Sequence, residues 1–138
     1  MKKTVKRTGV VLCTVLVAFF ALRALFYVDV SRAYAAKLVY KDEDVDISCN
    51  ISWDDQIVLQ HMLCGIKSKD SPSCGFGTDV SITFTVGNDQ REITLCPACD
   101  GCPIFRVGDG DYYIKISDDE RRLFDSIVEK YGMVFPCI

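Results

Sequence analysis

Several motifs that usually mark an enzyme are missing from this chain. There is no serine nucleophile motif, no glycine-rich phosphate loop, no dinucleotide fingerprint and no carboxylate pair in a context that supports catalysis. The single histidine, His61, precedes Cys64 by three residues, and no third group is evident that would orient a cysteine–histidine pair. The sequence therefore gives no support to an enzymatic activity, and no cofactor is expected.

Positive charge is scarce after residue 36. Residues 1–36 hold six of the sixteen basic residues and one of the nineteen acidic residues, so the remainder has ten basic and eighteen acidic side chains, a net charge of −8. An acidic domain repels phosphate backbones and anionic lipid headgroups, and nucleic acid is not expected as a partner. A basic or metal-ion partner fits the charge better, although acidic surfaces also serve solubility alone.

The N-terminal 36 residues have the organisation of an export segment. Four basic residues between Lys2 and Arg7 precede fourteen uncharged residues, Gly9 to Leu22, which fits the ~7–15 residues of a signal h-region. Ala33-Tyr34-Ala35 then offers a small-x-small cleavage site. Alternatively, the apolar run continues past Arg23 to Val30 and approaches the ~20 residues of a membrane anchor. Both hypotheses keep the basic end inside and place the rest outside the cytoplasm, as a membrane-anchored or secreted protein.

The remaining chain has the patterns of one small α+β domain. Residues 37–44 are rich in charge and are interpreted as a tether, and the cysteine-rich domain is expected over residues 45–138. Two helices are predicted, one capped by Ser52 with Asp55 and ending near 65–67, the other capped by Ser117 with Glu120 and stopped at Gly132. Strands are predicted at 45–51, 80–86, 91–96, 104–107 and 111–116, with hairpin turns at 87–89 and 108–110.

This order of elements predicts a mostly antiparallel sheet of four or five strands with two helices, preceded by the N-terminal apolar helix. A domain of about 100 residues buries only a modest share of its surface. Covalent links would therefore contribute much to its stability.

Seven cysteines follow the export segment, and disulfides are expected among them because such bonds persist outside the cytoplasm. The candidates are Cys49, Cys64, Cys74, Cys96, Cys99, Cys102 and Cys137. Their number is odd, so at least one is left over, and spacing alone does not choose the pairs.

The segment Cys96-Pro97-Ala98-Cys99-Asp100-Gly101-Cys102 is the one local cluster with potential chemistry. Its cysteines are interpreted first as structural, bonded to distant cysteines. A redox site is the second hypothesis, although thioredoxin-like sites open a helix and this segment leads into a strand. The third is a metal site with Cys96, Cys99 and Cys102 as ligands. A second Cys-x₂-Cys unit, usual for zinc, is absent, and Arg106 stands where a ferredoxin-like run would have its fourth cysteine.

Three segments together resemble a group of small uncharacterised cell-envelope proteins of Gram-positive bacteria. They are Pro72-Ser73-Cys74-Gly75-Phe76, the 96–102 cluster and Phe135-Pro136-Cys137. The resemblance implies an exported single domain and brings no activity or site with it. The sequence thus predicts an exported, disulfide-stabilised, non-enzymatic interaction module that binds a protein or another envelope component. It is either attached to the membrane through its N-terminal segment or secreted after cleavage. A metal or thiol–disulfide site at Cys96, Cys99 and Cys102 is the alternative.

Overall fold

The computed structural model describes residues 2–42, 45–70, 72–77 and 80–133. Within these residues the chain forms three helices and eight strands. In order, they are α1 (Lys2–Phe26), β1 (Tyr27–Val28), β2 (Ala33–Asp42), β3 (Val45–Asn50), α2 (Trp53–Met62), β4 (Gly65–Ile66), β5 (Val80–Val86), β6 (Arg91–Pro97), β7 (Ile104–Val107), β8 (Tyr113–Lys115) and α3 (Asp118–Glu129). The α+β class is confirmed.

One antiparallel sheet dominates the fold. Its six strands lie in the order β3-β2-β5-β6-β7-β8, and each strand pairs with its neighbour in antiparallel orientation. The two predicted hairpins, β5–β6 and β7–β8, are present. The predicted count of four or five strands was too low, because the segment before residue 43 adds a long strand to the sheet.

That added strand, β2, corrects the prediction of a tether over residues 37–44. Residues 37–42 belong to β2, which lies between β3 and β5, while residues 43 and 44 lie outside the described residues. Along β2, Ala36 and Leu38 are buried and Lys37 is exposed, as expected for a strand with one face on the core. The charged residues that suggested a solvated linker include Lys37 and Lys41, both of which are exposed.

A second, two-stranded sheet joins the end of α1 to the chain after α2. Tyr27 pairs with Ile66 and Val28 with Gly65, and the Lys67 amide donates to the Phe26 carbonyl at 2.8 Å. The helix α2 therefore ends at Met62, earlier than predicted, because Gly65 and Ile66 are needed for pairing with β1. Ile66 is consequently part of β4 and not of the predicted helix, and its side chain is exposed.

Both predicted helix starts are confirmed. The Ser52 side chain accepts from the Asp55 amide at 3.3 Å, and Ser117 and Glu120 form a full capping box. The two helices are also joined near their ends, since Lys130 Nζ donates to Asp55 Oδ1 at 2.7 Å and the Tyr131 hydroxyl donates to Asp55 Oδ2 at 2.9 Å. These bonds link the start of α2 to the residues that follow α3.

The hydrophobic core lies between the large sheet and the helices α2 and α3. Phe84, Phe105 and Phe124 are fully buried, and the rings of Phe105 and Phe124 meet edge to face with centroids 4.8 Å apart. The core also includes residues from the predicted export segment. Val28, Val30, Ala33 and Ala36 are all buried in it.

The helix α1 extends away from this core. Its large hydrophobic side chains between Val11 and Phe26 are 48–69% exposed. Within the part of the chain that the structure describes, no helix satisfies the length and apolarity needed to cross a membrane.

Candidate functional site

A cluster of two cysteines and an aspartate lies where two loops meet at the end of the sheet. Cys102 and Asp100 belong to the turn between β6 and β7, and Cys74 belongs to the long loop before β5. The two Sγ atoms and an Asp100 carboxylate oxygen all lie within 4.8 Å of one another. This cysteine–aspartate cluster, Cys74, Asp100 and Cys102, is the one group of three potential metal ligands found among the described residues.

The two loops are joined by hydrogen bonds that do not involve the clustered side chains. The Cys99 amide donates to the Gly75 carbonyl at 2.9 Å, and the Gly77 amide donates to Cys99 Sγ at 3.2 Å. Gly101 adopts φ of +78°, a conformation that favours glycine, and so reverses the chain between Asp100 and Cys102. These contacts keep the two loops together and so place the three side chains of the cluster near one another.

A buried arginine from α3 fixes the turn that carries Asp100 and Cys102. The side chain of Arg121 is only 3% exposed, and its Nη1 donates to the Ala98 carbonyl at 3.1 Å and to the Cys102 carbonyl at 2.6 Å. Asp125 balances the charge, accepting from Arg121 Nε at 2.9 Å. The guanidinium therefore ties α3 to two carbonyl oxygens of the turn, one of which, Cys102 O, also accepts from the Ile104 amide at 2.8 Å.

The electrostatics of the cluster favour a neutral thiol beside a charged carboxylate. The hydrogen bond with Cys102, together with burial and the nearby Asp100, raises the pKa of Cys74 to about 12. The pKa of Asp100 is lowered, first because its carboxylate accepts the Cys102 amide, at 3.1 Å. Without a cation in the cluster, a thiolate at Cys74 is therefore strongly disfavoured at neutral pH.

The structure does not bring together the three predicted metal ligands Cys96, Cys99 and Cys102. Cys96 lies in β6 opposite Arg106 and is buried, which raises the pKa of its thiol. Cys99 faces the Gly77 amide, and only Cys102 joins the cysteine–aspartate cluster.

No disulfide joins the cysteines that the structure describes. Each is a free thiol: Cys13, Cys49, Cys64, Cys74, Cys96, Cys99 and Cys102. Cys137 lies outside the described residues.

The structure gives no support to a catalytic pair of His61 and Cys64. His61 is exposed near the end of α2, whereas Cys64 Sγ accepts from the Val30 amide at 3.3 Å and lies 3.9 Å from Asp29 Oδ1. Burial raises the pKa of the Cys64 thiol, which makes it a poor nucleophile. The partly buried Cys64 instead helps to hold the segment after β1.

A second candidate site is a cleft at the base of α1. It measures about 640 Å³ and lies between the end of α1, the segment 27–32 and the strand β6. Four basic and two acidic side chains line it: Arg23, Arg32, Lys67, Arg91, Asp29 and Glu92. Arg23 lies 3.9 Å from Asp29, whose pKa is lowered first by the hydrogen bond from the Ser31 hydroxyl. We call this the basal cleft.

Comparisons with protein-family models, with curated proteins and with solved structures find no match to this chain. The resemblance to Gram-positive envelope proteins therefore stays a prediction.

Two functional features were missed from the sequence. Arg121 falls on the same helical face as Phe124 and Val128, and a lone arginine within a buried stripe signals a buried guanidinium. No sequence pattern indicates that Cys74 lies close to Cys102, because their contact depends on how two irregular loops pack.

Proposed function

We propose that this chain is an extracytoplasmic module that stays attached to the membrane through α1 and binds the anionic headgroup of a membrane lipid in its basal cleft. Export is supported by the basic residues ahead of the apolar stretch. Attachment is supported by the exposed apolar side chains of α1, which water solvates poorly and lipid accommodates.

Retention of the N-terminal segment follows from the composition of the core. Cleavage after Ala35 would cut β2 and remove Val28, Val30 and Ala33 from buried positions. It would also remove the Ala33 carbonyl that accepts from the buried side chains of Gln56 and Gln60. We therefore propose an uncleaved anchor in preference to a signal peptide removed at that site.

The basal cleft is the observation that carries the binding proposal. Its volume of about 640 Å³ lies within the ~300–1,000 Å³ typical of ligand pockets. Four cations against two carboxylates give it a positive balance within an otherwise acidic domain. Arg32 and Arg91 form no salt bridge within 4.0 Å among the described residues, although Arg32 also attracts the Asp29 carboxylate. Neither guanidinium is tied to a single carboxylate that an incoming anion would have to displace.

The position of the basal cleft, next to the apolar surface of α1, favours a lipid over a soluble anion as its ligand. Phe20 of α1 forms part of its wall together with Arg23, and the exposed apolar side chains of α1 continue from there. An anionic headgroup in the cleft would place its acyl chains along this apolar surface. A soluble anion would use only the basic part of the lining.

Titration of the detergent-solubilised full chain tests this proposal. Short-chain phosphatidylglycerol is expected to bind saturably and more weakly as salt is added, whereas phosphatidylcholine of equal chain length and inorganic phosphate are not. The substitution Arg91→Glu is expected to abolish binding. Lys115→Glu makes an equal charge change at an exposed side chain outside the cleft and is expected to preserve binding. Equal binding of the two lipids, or equal loss in both variants, would reject the lipid-binding proposal.

A metal or redox site formed by Cys96, Cys99 and Cys102 is less favoured. Cys96 is buried, and it does not belong to the cysteine–aspartate cluster that contains Cys102. A protein partner, and disulfides formed after export, stay predictions.

A further inference from the structure

We propose that the cysteine–aspartate cluster binds a divalent cation of the zinc class, through the thiolates of Cys74 and Cys102 and the carboxylate of Asp100. This site is independent of the basal cleft and of export. It differs from the metal site predicted from the sequence, sharing only Cys102 with it.

The convergence of three ligand atoms supports the assignment. Two sulfurs and a carboxylate oxygen within 4.8 Å of one another match the donor types that zinc takes in proteins. The three residues come from two loops, since 26 positions separate Cys74 from Asp100. Adjacent positions along one strand or helix therefore do not explain the cluster.

The turn around the site is built in advance of any ligand. Arg121, buried in the core, holds the carbonyls of Ala98 and Cys102, and the Cys99 amide binds the loop of Cys74 through the Gly75 carbonyl. The Cys102 amide orients the Asp100 carboxylate. Outer contacts of this kind orient the ligands of metal sites.

A carboxylate distinguishes this site from a simple cysteine pair. A disulfide between Cys74 and Cys102 would be neutral and would make no use of the Asp100 charge, whereas a cation is stabilised by all three groups. Asp100 is exposed and both cysteines are half-buried, so solvent can complete the coordination. An open position of this kind is typical of exchangeable or catalytic zinc. Binding would release the thiol protons to solvent.

Titration of the reduced full chain in detergent with Zn²⁺ against a chromophoric chelator tests the site. One equivalent is expected to bind, and Cd²⁺ in its place is expected to give a thiolate charge-transfer band. Cys102→Ser and Cys74→Ser are expected to abolish this band, and Asp100→Asn to weaken binding by at least about tenfold, the loss typical of even an outer-shell partner. Cys99→Ser is the matched control from the same turn: its hydroxyl oxygen can still accept from the Gly77 amide, so it is expected to retain the band.

Three results would overturn the assignment. The first is no stoichiometric binding by a reduced chain whose circular dichroism shows it folded. The second is loss of the band in Cys99→Ser with retention in Cys74→Ser, which would favour the 96–99–102 cluster instead. The third is a disulfide between Cys74 and Cys102 in the native protein. It would be detected as a disulfide-linked peptide pair after the free thiols are alkylated directly in the protein's own cells.

Discussion

Removal of residues 1–35 should unfold the domain, although it follows the cleavage site suggested by Ala33-Tyr34-Ala35. Burying a valine side chain contributes about 1.5–3 kcal/mol, so the buried Val28 and Val30 together contribute about 3–6 kcal/mol. Loss of the Ala33 carbonyl leaves two buried glutamine donors without their acceptor, at about 1–3 kcal/mol each. The summed loss is comparable to the whole free energy of unfolding of a typical domain, ~5–15 kcal/mol.

The matched control is a chain that begins at Tyr27. It lacks α1 but keeps β1, all of β2 and every core residue after residue 27. Urea denaturation followed by circular dichroism should show a cooperative transition for this chain and none for the chain that begins at Ala36. Equal transition midpoints for the two chains would refute the argument that residues 27–35 belong to the core.

Two further perturbations test the contacts around the turn and between the helices. Arg121→Met removes the guanidinium bonds to the Ala98 and Cys102 carbonyls and to Asp125, and should lower the free energy of unfolding by about 3–5 kcal/mol. The exposed Arg122→Met should change it by less than ~0.5 kcal/mol in the same urea titration. A loss for Arg121→Met no larger than for Arg122→Met would contradict its role. Asp55→Asn should lower stability by about 1–2 kcal/mol at neutral pH, with the exposed Asp54→Asn as control. The hydrogen bond from Lys130 lowers the pKa of Asp55 and raises that of Lys130. The wild-type advantage should therefore be present above the ordinary aspartate pKa of about 3.9 and fade as pH falls through the lowered value, and it should fade again as pH rises through the raised lysine pKa. A pH-independent difference between wild type and Asp55→Asn would contradict this assignment.

Periodic patterns predicted most of the sheet and both capped helices. The alternation from Val80 to Val86 and the capping box at Ser117 depend on neighbours in sequence, and the structure has both. The strand β2 was missed because its small and charged residues, such as Ala35 and Lys37, resemble a linker. Its strand conformation depends on pairing with β3 and β5, which is set by tertiary structure and not by local preference.

The candidate sites were less accessible to sequence reasoning. The Cys-x-x-Cys spacing drew attention to Cys96, Cys99 and Cys102, yet Cys96 lies in the strand β6 and its side chain is buried. Cys74 lies beside Cys102 where the two loops meet, and bonds between Cys99 and the backbone of Gly75 and Gly77 join these loops. The basal cleft likewise combines Arg23, Lys67 and Arg91, whose proximity no periodic pattern encodes.

The N-terminus of the protein in its own cells tests the central claim most directly. Intact-mass spectrometry of the chain isolated from the membrane fraction is predicted to show residues upstream of Tyr27 still attached. A mature chain that begins at Ala36 and folds would contradict the proposal that the N-terminal segment is retained and contributes to the core.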